Sequence, residues 1–245
     1  MESCISAIPQ PTNQPSIKPE IRLTDDGSST LYLSDIDESY HSTKGALTES
    51  RHVYIDNALK YRASAPSCHV RTSCFKVFEV GFGTGLNATL AAMTDIPLIY
   101  TAIEKFPLSS DIVEALDYGD GVDSGLYREI ADAPFGVLTD ITPTFALQKI
   151  EGDFTTFEPE EHYDVIFMDA FAPEKQPEMW SDDMLRKLAE MLAPGGVMTT
   201  YCAKGAVRRA FERYGLRAER IPGPPGGKRE MLRLIKPDTY TLQKH

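Results

Sequence analysis

The sequence predicts an α/β fold in which a largely parallel sheet carries helices on both faces. Three observations support this prediction: buried strands alternate with helices from residue 76 onward, a glycine-rich turn follows the first of these strands, and acidic residues follow the later ones. Strands that alternate with helices are typical of parallel sheets, because each connection must cross a face of the sheet before the next strand begins.

The hydrophobic pattern gives the order of the elements. It predicts strands at 76–80, 98–103, 145–151, 163–168 and 197–201, helices at 86–93, 109–116, 124–132, 182–192 and 205–214, and a closing hairpin-like pair at 216–221 and 229–235. Ser181 is a predicted N-cap with Asp182 and Asp183 in the following turn. That helix is expected to end at Pro194-Gly195-Gly196, because glycine and proline cannot continue it.

The chain is expected to divide into three parts. Residues 1–20 are rich in Pro, Ser and Gln, which predicts a flexible N-terminal tail. Residues 21–62 predict short strands and turns, followed by a helix over 50–62, that pack on the core. Residues 63–245 then form the main α/β domain.

Length and composition exclude several classes of protein. The 245 residues are 42% hydrophobic and 25% charged, which is enough to bury a core and too apolar for a disordered chain. No run approaches the ~20 apolar residues that cross a bilayer, and the N-terminus lacks a basic segment followed by an apolar stretch. We therefore expect a cytoplasmic protein with no membrane partner; the sequence leaves the oligomeric state open.

Charge is distributed unevenly along the chain. Residues 196–245 hold 11 Lys or Arg and 4 Asp or Glu, a net charge of +7, whereas residues 1–195 carry −18 of the total of −11. A chain this acidic repels a polyanion as a whole, so any contact with nucleic acid is predicted for the C-terminal fifth. A solvated basic face is the alternative that charge alone favours.

The four cysteines do not form a metal-binding or disulfide pattern. Cys4, Cys68, Cys74 and Cys202 include no C-x-x-C pair, and no histidine cluster accompanies them. We expect free thiols in a reducing compartment and no metal site.

The glycine-rich turn runs from Gly81 to Gly85, directly after Glu79-Val80. Glycines between a strand and a helix let the backbone turn sharply and approach a ligand closely. The dinucleotide fingerprint would require glycine where this chain has Leu86. Glu79 would also sit poorly beside a pyrophosphate, but it suits a ligand with an amino group and no phosphate, such as S-adenosylmethionine.

Three further acids follow strand ends. Glu104 lies about 20 residues after the loop, where a carboxylate accepts hydrogen bonds from ribose hydroxyls. Asp153 could accept a hydrogen bond from an adenine amino group, and Asp169 ends the next strand. The carboxyl ends of these strands are predicted to converge on one crevice, with ordinary turns and caps as the alternative.

The segment from Asp169 to Trp180 is too polar and proline-rich to belong to the core. Loops on a rigid scaffold commonly carry chemistry. Phe171 and Trp180 could form walls around a flat nucleobase, although a packing anchor at a helix start is the alternative for Trp180.

Four strings together make the chain similar to a known family. They are the residues 78–87, the residues 104–108, Asp169-Ala170-Phe171-Ala172-Pro173 with Lys175, Pro177, Met179 and Trp180, and Gly227-Lys228-Arg229-Glu230-Met231-Leu232. From about residue 30 to 235 the chain resembles the tRNA 5-aminomethyl-2-thiouridine methyltransferase family. This is the methyltransferase half of the bifunctional MnmC protein and is also found alone.

The resemblance implies a class I, Rossmann-like methyltransferase with a mostly parallel seven-stranded sheet and S-adenosyl-L-methionine as cofactor. It implies transfer of a methyl group to the primary amine of 5-aminomethyl-(2-thio)uridine at the wobble position of tRNA. The family's bifunctional members carry an FAD-dependent oxidase module. Because the sequence holds no second nucleotide-binding loop, we expect that activity to be absent.

The loop, the strand ends and the resemblance together give the expected site residues. The expected cofactor-binding residues are Glu79, Gly81, Phe82, Gly83, Gly85, Asn87, Glu104, Lys105, Asp153 and Asp169. The expected substrate-binding residues are Phe171, Pro173, Lys175, Trp180, Lys204, Arg208, Arg209, Lys228 and Arg229. The basic members of this set are expected to contact phosphates of the anticodon stem-loop.

Asp169 is the expected catalytic residue. It would accept a hydrogen bond from the amine, orient the nitrogen lone pair and help the proton to leave, with a contact to the cofactor alone as the alternative. Three other functions remain open. The first is an aminopropyltransferase of the spermidine synthase type, but the string from Asp169 to Pro173 departs from the Asp-rich loop of that class. The second is a module that binds tRNA or cofactor without turnover, against which the intact Asp169 and glycine loop argue. The third, which the fold alone allows, is a methyltransferase that acts on small molecules or proteins.

Overall fold

The computed structural model describes residues 19–65 and 74–238. Nearly all of the predicted N-terminal tail, as well as Cys4 and Cys68, therefore lies outside the described residues. The described part contains a small N-terminal sheet, a long helix and a large mixed sheet covered by helices. None of its helices is both long and apolar enough to cross a membrane.

The small sheet holds the start of the long helix. Its three antiparallel strands are β1 (Glu20–Leu23), β2 (Ser29–Leu33) and β3 (Glu38–Ser39). In the turn between β1 and β2, the Ser28 hydroxyl accepts hydrogen bonds from the backbone of Ala46 and Leu47 at 3.1 and 3.2 Å. These are among the first N–H groups of the helix, which otherwise lack partners.

The long helix α1 changes its winding along its length. It begins as α-helix over Ala46–Ser50, continues as π-helix over Arg51–Lys60 and ends as α-helix over Tyr61–Ala63. The sequence predicts the helix but not the wide turns. Its buried side chains, which include Tyr54, face strands of the large sheet.

The large sheet has eight strands, one more than the seven predicted. They are β4 (Phe75–Val80), β5 (Leu98–Glu104), β6 (Leu138–Thr142), β7 (Phe145–Glu151), β8 (Tyr163–Met168), β9 (Leu192–Thr200), β10 (Arg217–Pro222) and β11 (Glu230–Ile235), in the order β10-β11-β9-β8-β4-β5-β7-β6. The five central strands are parallel, and the outer pairs are antiparallel. The added strand is β6, which forms an edge hairpin with β7 and has little apolar alternation because it is largely exposed.

Helices cover both faces of the large sheet, as predicted. The remaining helices are α2 (Leu86–Ala92), α3 (Ser110–Glu114), α4 (Ser124–Asp132), α5 (Asp182–Met191) and α6 (Gly205–Arg213), with single turns at Gly119–Gly121 and Pro177–Trp180. One apolar cluster joins α1, α2 and α4 to the sheet, and a second joins α5 and α6 to the opposite face. The class I Rossmann-like fold is confirmed.

The strand order creates one switch point. From β4 the chain first builds β5 and β7 on one side and then returns to build β8 and β9 on the other. In open α/β sheets, ligands bind outside the carboxyl ends of the strands at such a point. The carboxyl ends of β4, β5 and β8 therefore mark where a site is expected.

Candidate active site

A cavity of about 380 Å³ lies at this switch point. Its wall combines the glycine loop after β4, the segment after β5, the turn after β7 and the loop after β8. Tyr40, which follows β3, closes part of the wall from the small sheet. The expected cofactor-binding residues that line the cavity are Gly81, Phe82, Gly83, Asn87, Glu104, Lys105, Asp153 and Asp169, whereas Glu79 and Gly85 lie behind its wall.

The backbone of the loop requires glycine. Gly81, Gly83 and Gly85 all have positive φ, at 87°, 54° and 80°. A Cβ atom at Gly81 would lie 3.0 Å from the carbonyl oxygen of Asp169, and one at Gly85 would lie 2.9 Å from the Phe82 ring. The absence of side chains therefore lets the β4 and β8 loops approach each other and leaves backbone lining the cavity.

Glu79 is a fully buried carboxylate behind the cavity wall. Its Oε1 accepts a hydrogen bond from Asn87 Nδ2 at 2.8 Å. Burial and the nearby charge of Asp169 raise the pKa of Glu79 well above its ordinary value, while hydrogen bonds from Asn87 and Tyr100 oppose the rise. Asn87 itself lines the cavity, and its buried Oδ1 has no partner. A buried acceptor without a donor is unfavourable, so this oxygen favours a ligand that brings a hydrogen-bond donor.

Backbone amides fix the orientation of Glu104. Its two carboxylate oxygens accept hydrogen bonds from the N–H groups of Gly83 and Phe106, at 2.9 and 2.8 Å. The carboxylate thus lies between the glycine loop and the segment after β5, where it lines the cavity. Further lone pairs remain for hydroxyl groups of a ligand.

Asp153 is also held at the cavity wall. Lys105 Nζ lies 2.8 Å from its Oδ2, and the backbone and hydroxyl of Thr155 donate to its Oδ1 at 2.8 and 2.7 Å. Although burial opposes the effect, hydrogen bonds from Lys105 and Thr155 lower the pKa of Asp153 below its ordinary value. This carboxylate is therefore ionised in the folded protein at neutral pH.

Asp169 connects two hydrogen-bond donors from different elements. Its Oδ1 accepts from the Tyr54 hydroxyl at 2.6 Å, and its Oδ2 accepts from Asn87 Nδ2 at 2.8 Å. Burial raises its pKa to about 7, assisted by the charge of Glu49 and opposed by the two donors. A carboxyl group with a pKa near the working pH can both release and accept a proton.

Two hydrogen bonds and one contact between aromatic rings hold the loop after Asp169. Tyr201 donates its hydroxyl to the carbonyl of Ala170 at 2.8 Å, and Trp180 donates its indole N–H to the carbonyl of Phe171 at 2.8 Å. Trp180 is buried and does not line the cavity, so these contacts favour the packing-anchor alternative for it. Phe171 does line the cavity, where its ring meets Tyr40 edge-on at 5.5 Å.

The loop also contacts elements on both sides. Lys175 donates to the carbonyl of Ile36 at 2.6 Å, which ties the loop to the small sheet, and Lys204 pairs with Glu174. Pro173 is partly exposed in this loop and does not line the cavity.

The expected tRNA-binding residues occupy two places. Arg208 and Arg209 lie on α6, where Arg208 pairs with Glu212 and Arg209 is exposed. Lys228 and Arg229 lie in the β10–β11 connection, and Lys228 Nζ sits 3.9 Å above the Tyr201 ring. The structure therefore brings Lys228 beside the Asp169 loop. Within the part of the chain that the structure describes, no hydrogen bond or ion pair joins the α6 arginines to a residue of the cavity wall.

The sequence did not predict Tyr40, which lines the cavity, Tyr54, which donates to Asp169, or Tyr201, which donates to the carbonyl of Ala170. Each lies in a segment that the sequence marks only as strand, turn or buried helix, with no motif around it. Among residues 19–65 and 74–238, no group of His, Cys, Asp and Glu could hold a metal ion.

Comparison with known proteins agrees with this geometry. The sequence profile of a family described as S-adenosyl-L-methionine-dependent methyltransferase matches residues 140–237. Two curated relatives carry the name tRNA 5-methylaminomethyl-2-thiouridine biosynthesis bifunctional protein MnmC. The one from Pseudomonas fluorescens is 32% identical over 220 residues, and the one from Cupriavidus metallidurans is 33% identical over 231 residues.

These alignments cover 80% and 85% of this chain, but only 32% of each relative. The chain thus spans about a third of the length of the curated relatives that it matches. Among solved structures, MnmC2 from Aquifex aeolicus superimposes with a TM-score of 0.67 at 23% identity, covering 95% of this chain and 77% of that one. This likeness shows the shared fold.

The fold and the cavity define an S-adenosyl-L-methionine-dependent methyltransferase. Its glycine loop and the acids at the ends of β4, β5 and β8 are the features that fit this class, and the matched profile bears the same description. Within the class, the chain belongs to the methyltransferase-domain family of MnmC.

Proposed function

We propose that the protein methylates the primary amine of 5-aminomethyl-(2-thio)uridine at the wobble position of tRNA. The observation that carries the proposal is Asp169, a carboxyl group at the cavity wall with a pKa of about 7 and two fixed donors. The names of the relatives place them in the biosynthesis of the corresponding methylaminomethyl nucleoside. The proposed activity is that of the part of those relatives that this chain matches.

The residues of the cavity fit S-adenosylmethionine. Asn87 lines the cavity at the β4 end, and its unpartnered Oδ1 favours a ligand group that donates a hydrogen bond, such as an ammonium group. Glu104 would accept from the ribose hydroxyls, and Asp153 would face the adenine amino group. When bound, the cofactor supplies a methyl group already activated by a positively charged sulfur.

The protein's main task is then to orient the acceptor nitrogen. Methyl transfer to nitrogen is an in-line displacement, so positioning supplies much of the acceleration. Tyr54 and Asn87 lock the carboxylate of Asp169 in one orientation from two sides. A fixed acceptor can align the lone pair of an amine that donates a hydrogen bond to it.

Asp169 also accepts the proton. A simple alkylamine has a pKa of ~10 and reaches the enzyme as an ammonium ion, which cannot attack. A carboxylate whose pKa is raised to about 7 by burial takes up this proton more readily than an ordinary one. We infer that Asp169 holds the proton at Oδ1 or Oδ2 while the nitrogen reacts.

Basic residues would hold the tRNA. Lys204 and Lys228 lie beside the Asp169 loop, and Arg209 and Arg229 are exposed nearby in sequence. Phosphate contacts would position the stem, while the flipped wobble base would enter toward Asp169 and supply the specificity. Phe171, which lines the cavity, offers a ring face or edge to that base.

Nucleoside mass spectrometry tests the proposal directly. Undermodified tRNA that carries 5-aminomethyluridine is incubated with the protein and methyl-labelled S-adenosylmethionine. We expect a gain of one labelled methyl group on that nucleoside and at least a 100-fold slower reaction with Asp169→Ala. Calorimetry with S-adenosylhomocysteine should show that the variant still binds the cofactor product.

Two results would contradict the proposal. Near-normal turnover by Asp169→Ala would remove the assigned role of the carboxylate. Product from putrescine and decarboxylated cofactor, with none from tRNA, would indicate an aminopropyltransferase instead.

A further inference from the structure

Two aromatic side chains from different parts of the fold meet at the wall of the cavity. Tyr40, which follows β3 of the small sheet, and Phe171, in the loop after β8, both line it. Their ring centroids lie 5.5 Å apart and their planes cross at 89°. Such edge-to-face pairs are attractive, because the positive edge of one ring lies on the negative face of the other. The pair therefore joins the small sheet to the loop that begins at Asp169.

The backbone of Phe171 is fixed from within its own loop. Its N–H donates to Oε1 of Gln176 at 3.2 Å, and its carbonyl accepts from the indole N–H of Trp180 at 2.8 Å. Neither hydrogen bond restrains rotation of the side chain about the Cα–Cβ bond. The contact with the Tyr40 ring does restrain it, and this contact comes from outside the loop.

Tyr40 is itself held between two other segments. Its backbone N–H donates to the carbonyl of Leu31 on β2 at 2.8 Å. Its ring lies against Gly83 of the glycine loop, where an added Cβ atom would be only 3.3 Å from Cδ1 of Tyr40. The absence of a side chain at position 83 therefore leaves the room that this ring occupies. Tyr40 thus has a defined place between the glycine loop and Phe171.

A second contact connects the same two parts of the chain. The Lys175 ammonium group donates to the carbonyl of Ile36 at 2.6 Å. Residues 36 and 40 of the small sheet and its connection therefore contact residues 175 and 171 of the loop. Two contacts hold the small sheet against the loop more firmly than one, so the ring of Tyr40 stays beside that of Phe171.

We propose that Tyr40 is a positioning residue that holds the Phe171 ring in the orientation that receives the acceptor nucleobase. This inference rests on the function proposed above, in which Phe171 meets the wobble base. A ring that is already fixed loses less rotamer freedom when a base binds to it, so binding is stronger. Tyr40 acts through Phe171 and takes no part in the transfer of the methyl group.

A binding series tests this role. Two anticodon stem-loop RNAs carry either 5-aminomethyluridine or an abasic site at the wobble position, and both are measured with saturating S-adenosylhomocysteine so that no reaction occurs. We expect Tyr40→Leu to weaken binding of the aminomethyl RNA by about fivefold, a part of what one base stacked on one ring contributes. Binding of the abasic RNA should stay unchanged, because it has no base to meet Phe171. Tyr40→Phe keeps the ring and should bind both RNAs as the wild type does.

A double-mutant cycle shows whether Tyr40 acts through Phe171. Phe171→Leu should weaken binding of the aminomethyl RNA at least as much as Tyr40→Leu does. Adding Tyr40→Leu to that variant should then have no further effect, since the ring that Tyr40 holds is gone. Tyr32→Leu is the matched control, because Tyr32 lies on β2 of the same small sheet and does not line the cavity. It should leave both affinities unchanged.

Trp180 reports whether the backbone of the loop is retained. It is the only tryptophan of the chain, and its indole N–H binds the Phe171 carbonyl. Its fluorescence emission maximum should be the same in the wild type and in Tyr40→Leu, because the proposed role concerns the ring of Phe171. A shifted maximum would show that the whole loop has moved and would overturn the proposal. Equal weakening of both RNAs, unchanged binding of the aminomethyl RNA, or additive losses in the double mutant would overturn it as well.

The failure of this inference is distinguishable from failure of the proposed function. If the wild-type protein methylates aminomethyluridine but Tyr40→Leu does not discriminate between the two RNAs, only the inference is wrong. If the wild type transfers no methyl group to that nucleoside, both are wrong.

Discussion

At the scale of single residues, burial raises the pKa of the proposed catalytic group, Asp169, and the hydrogen bond from Tyr54 opposes that rise. Sequence motifs predicted Asp169, because it follows a strand within a distinctive string. They could not predict Tyr54, which lies 115 positions earlier and looks like any aromatic residue on the buried side of a helix. Pairings between distant segments depend on the tertiary arrangement, which local patterns do not contain.

The raised pKa of Asp169 predicts a pH dependence. Because the carboxylate form accepts the proton, kcat/KM should rise with pH through about 7. The Tyr54 hydroxyl lowers the pKa by stabilising the charged form, so Tyr54→Phe should raise it. The rising limb of the profile then moves to higher pH by roughly half to one pH unit, from the loss of one hydrogen bond.

Tyr32→Phe is the matched control for this measurement. Tyr32 also donates to an aspartate, Asp37, at 2.7 Å, but the pair is exposed on the small sheet. Removal of the Tyr32 hydroxyl should leave the pH profile of kcat/KM unchanged. If the pH profile of kcat/KM is identical in the wild type and Tyr54→Phe, ionisation of Asp169 does not determine its rising limb.

At the scale of elements, sequence periodicity located most strands and helices of the large sheet. Strands over 145–151 and 163–168 and the helix over 124–132 have the predicted bounds, and Ser181 caps α5 by accepting from Met184 at 3.4 Å. The periodicity missed β6, whose exposed edge carries little apolar signal. It also missed the π-helical part of α1, because its apolar residues fit an ordinary helix.

The glycine loop offers a prediction at this scale. Gly81→Ala should weaken S-adenosylmethionine binding at least tenfold, because the new Cβ would press on the Asp169 carbonyl at 3.0 Å and separate the β4 and β8 loops. The substitution should also lower the free energy of unfolding by about 1–2 kcal/mol, because alanine is strained at the positive φ of this position. Calorimetry and thermal unfolding measure the two effects.

Gly136→Ala separates these effects. Gly136 also has positive φ, at 78°, but a Cβ there would meet nothing within 4 Å. We expect a similar loss of stability with unchanged cofactor affinity. If both variants lose the cofactor equally, general destabilisation rather than the shape of the loop is responsible.

At the scale of the whole molecule, acidic and basic residues are concentrated at different places, which correspond to the proposed sites of the two reactants. The carboxylates of Glu104 and Asp153 line the cavity proposed for a cationic cofactor, and that of Glu79 lies behind its wall, while the basic residues are concentrated in the last fifth of the chain. The excess of acid over the rest of the chain would repel RNA elsewhere. The sequence alone showed this asymmetry, but the fold was needed to bring Lys228 beside the Asp169 loop.

This arrangement predicts how tRNA binding responds to salt. The affinity should fall steeply as salt increases, because phosphate contacts release counterions. Arg209→Ala and Arg229→Ala should each weaken binding and reduce the slope of log affinity against log salt by about 1. Arg128→Ala is the control, since this exposed arginine lies on α4, which belongs to the cluster on the opposite face from α6. If Arg128→Ala lowers the slope as much as the C-terminal variants do, the RNA is held by diffuse charge, and the basic segment has no special role.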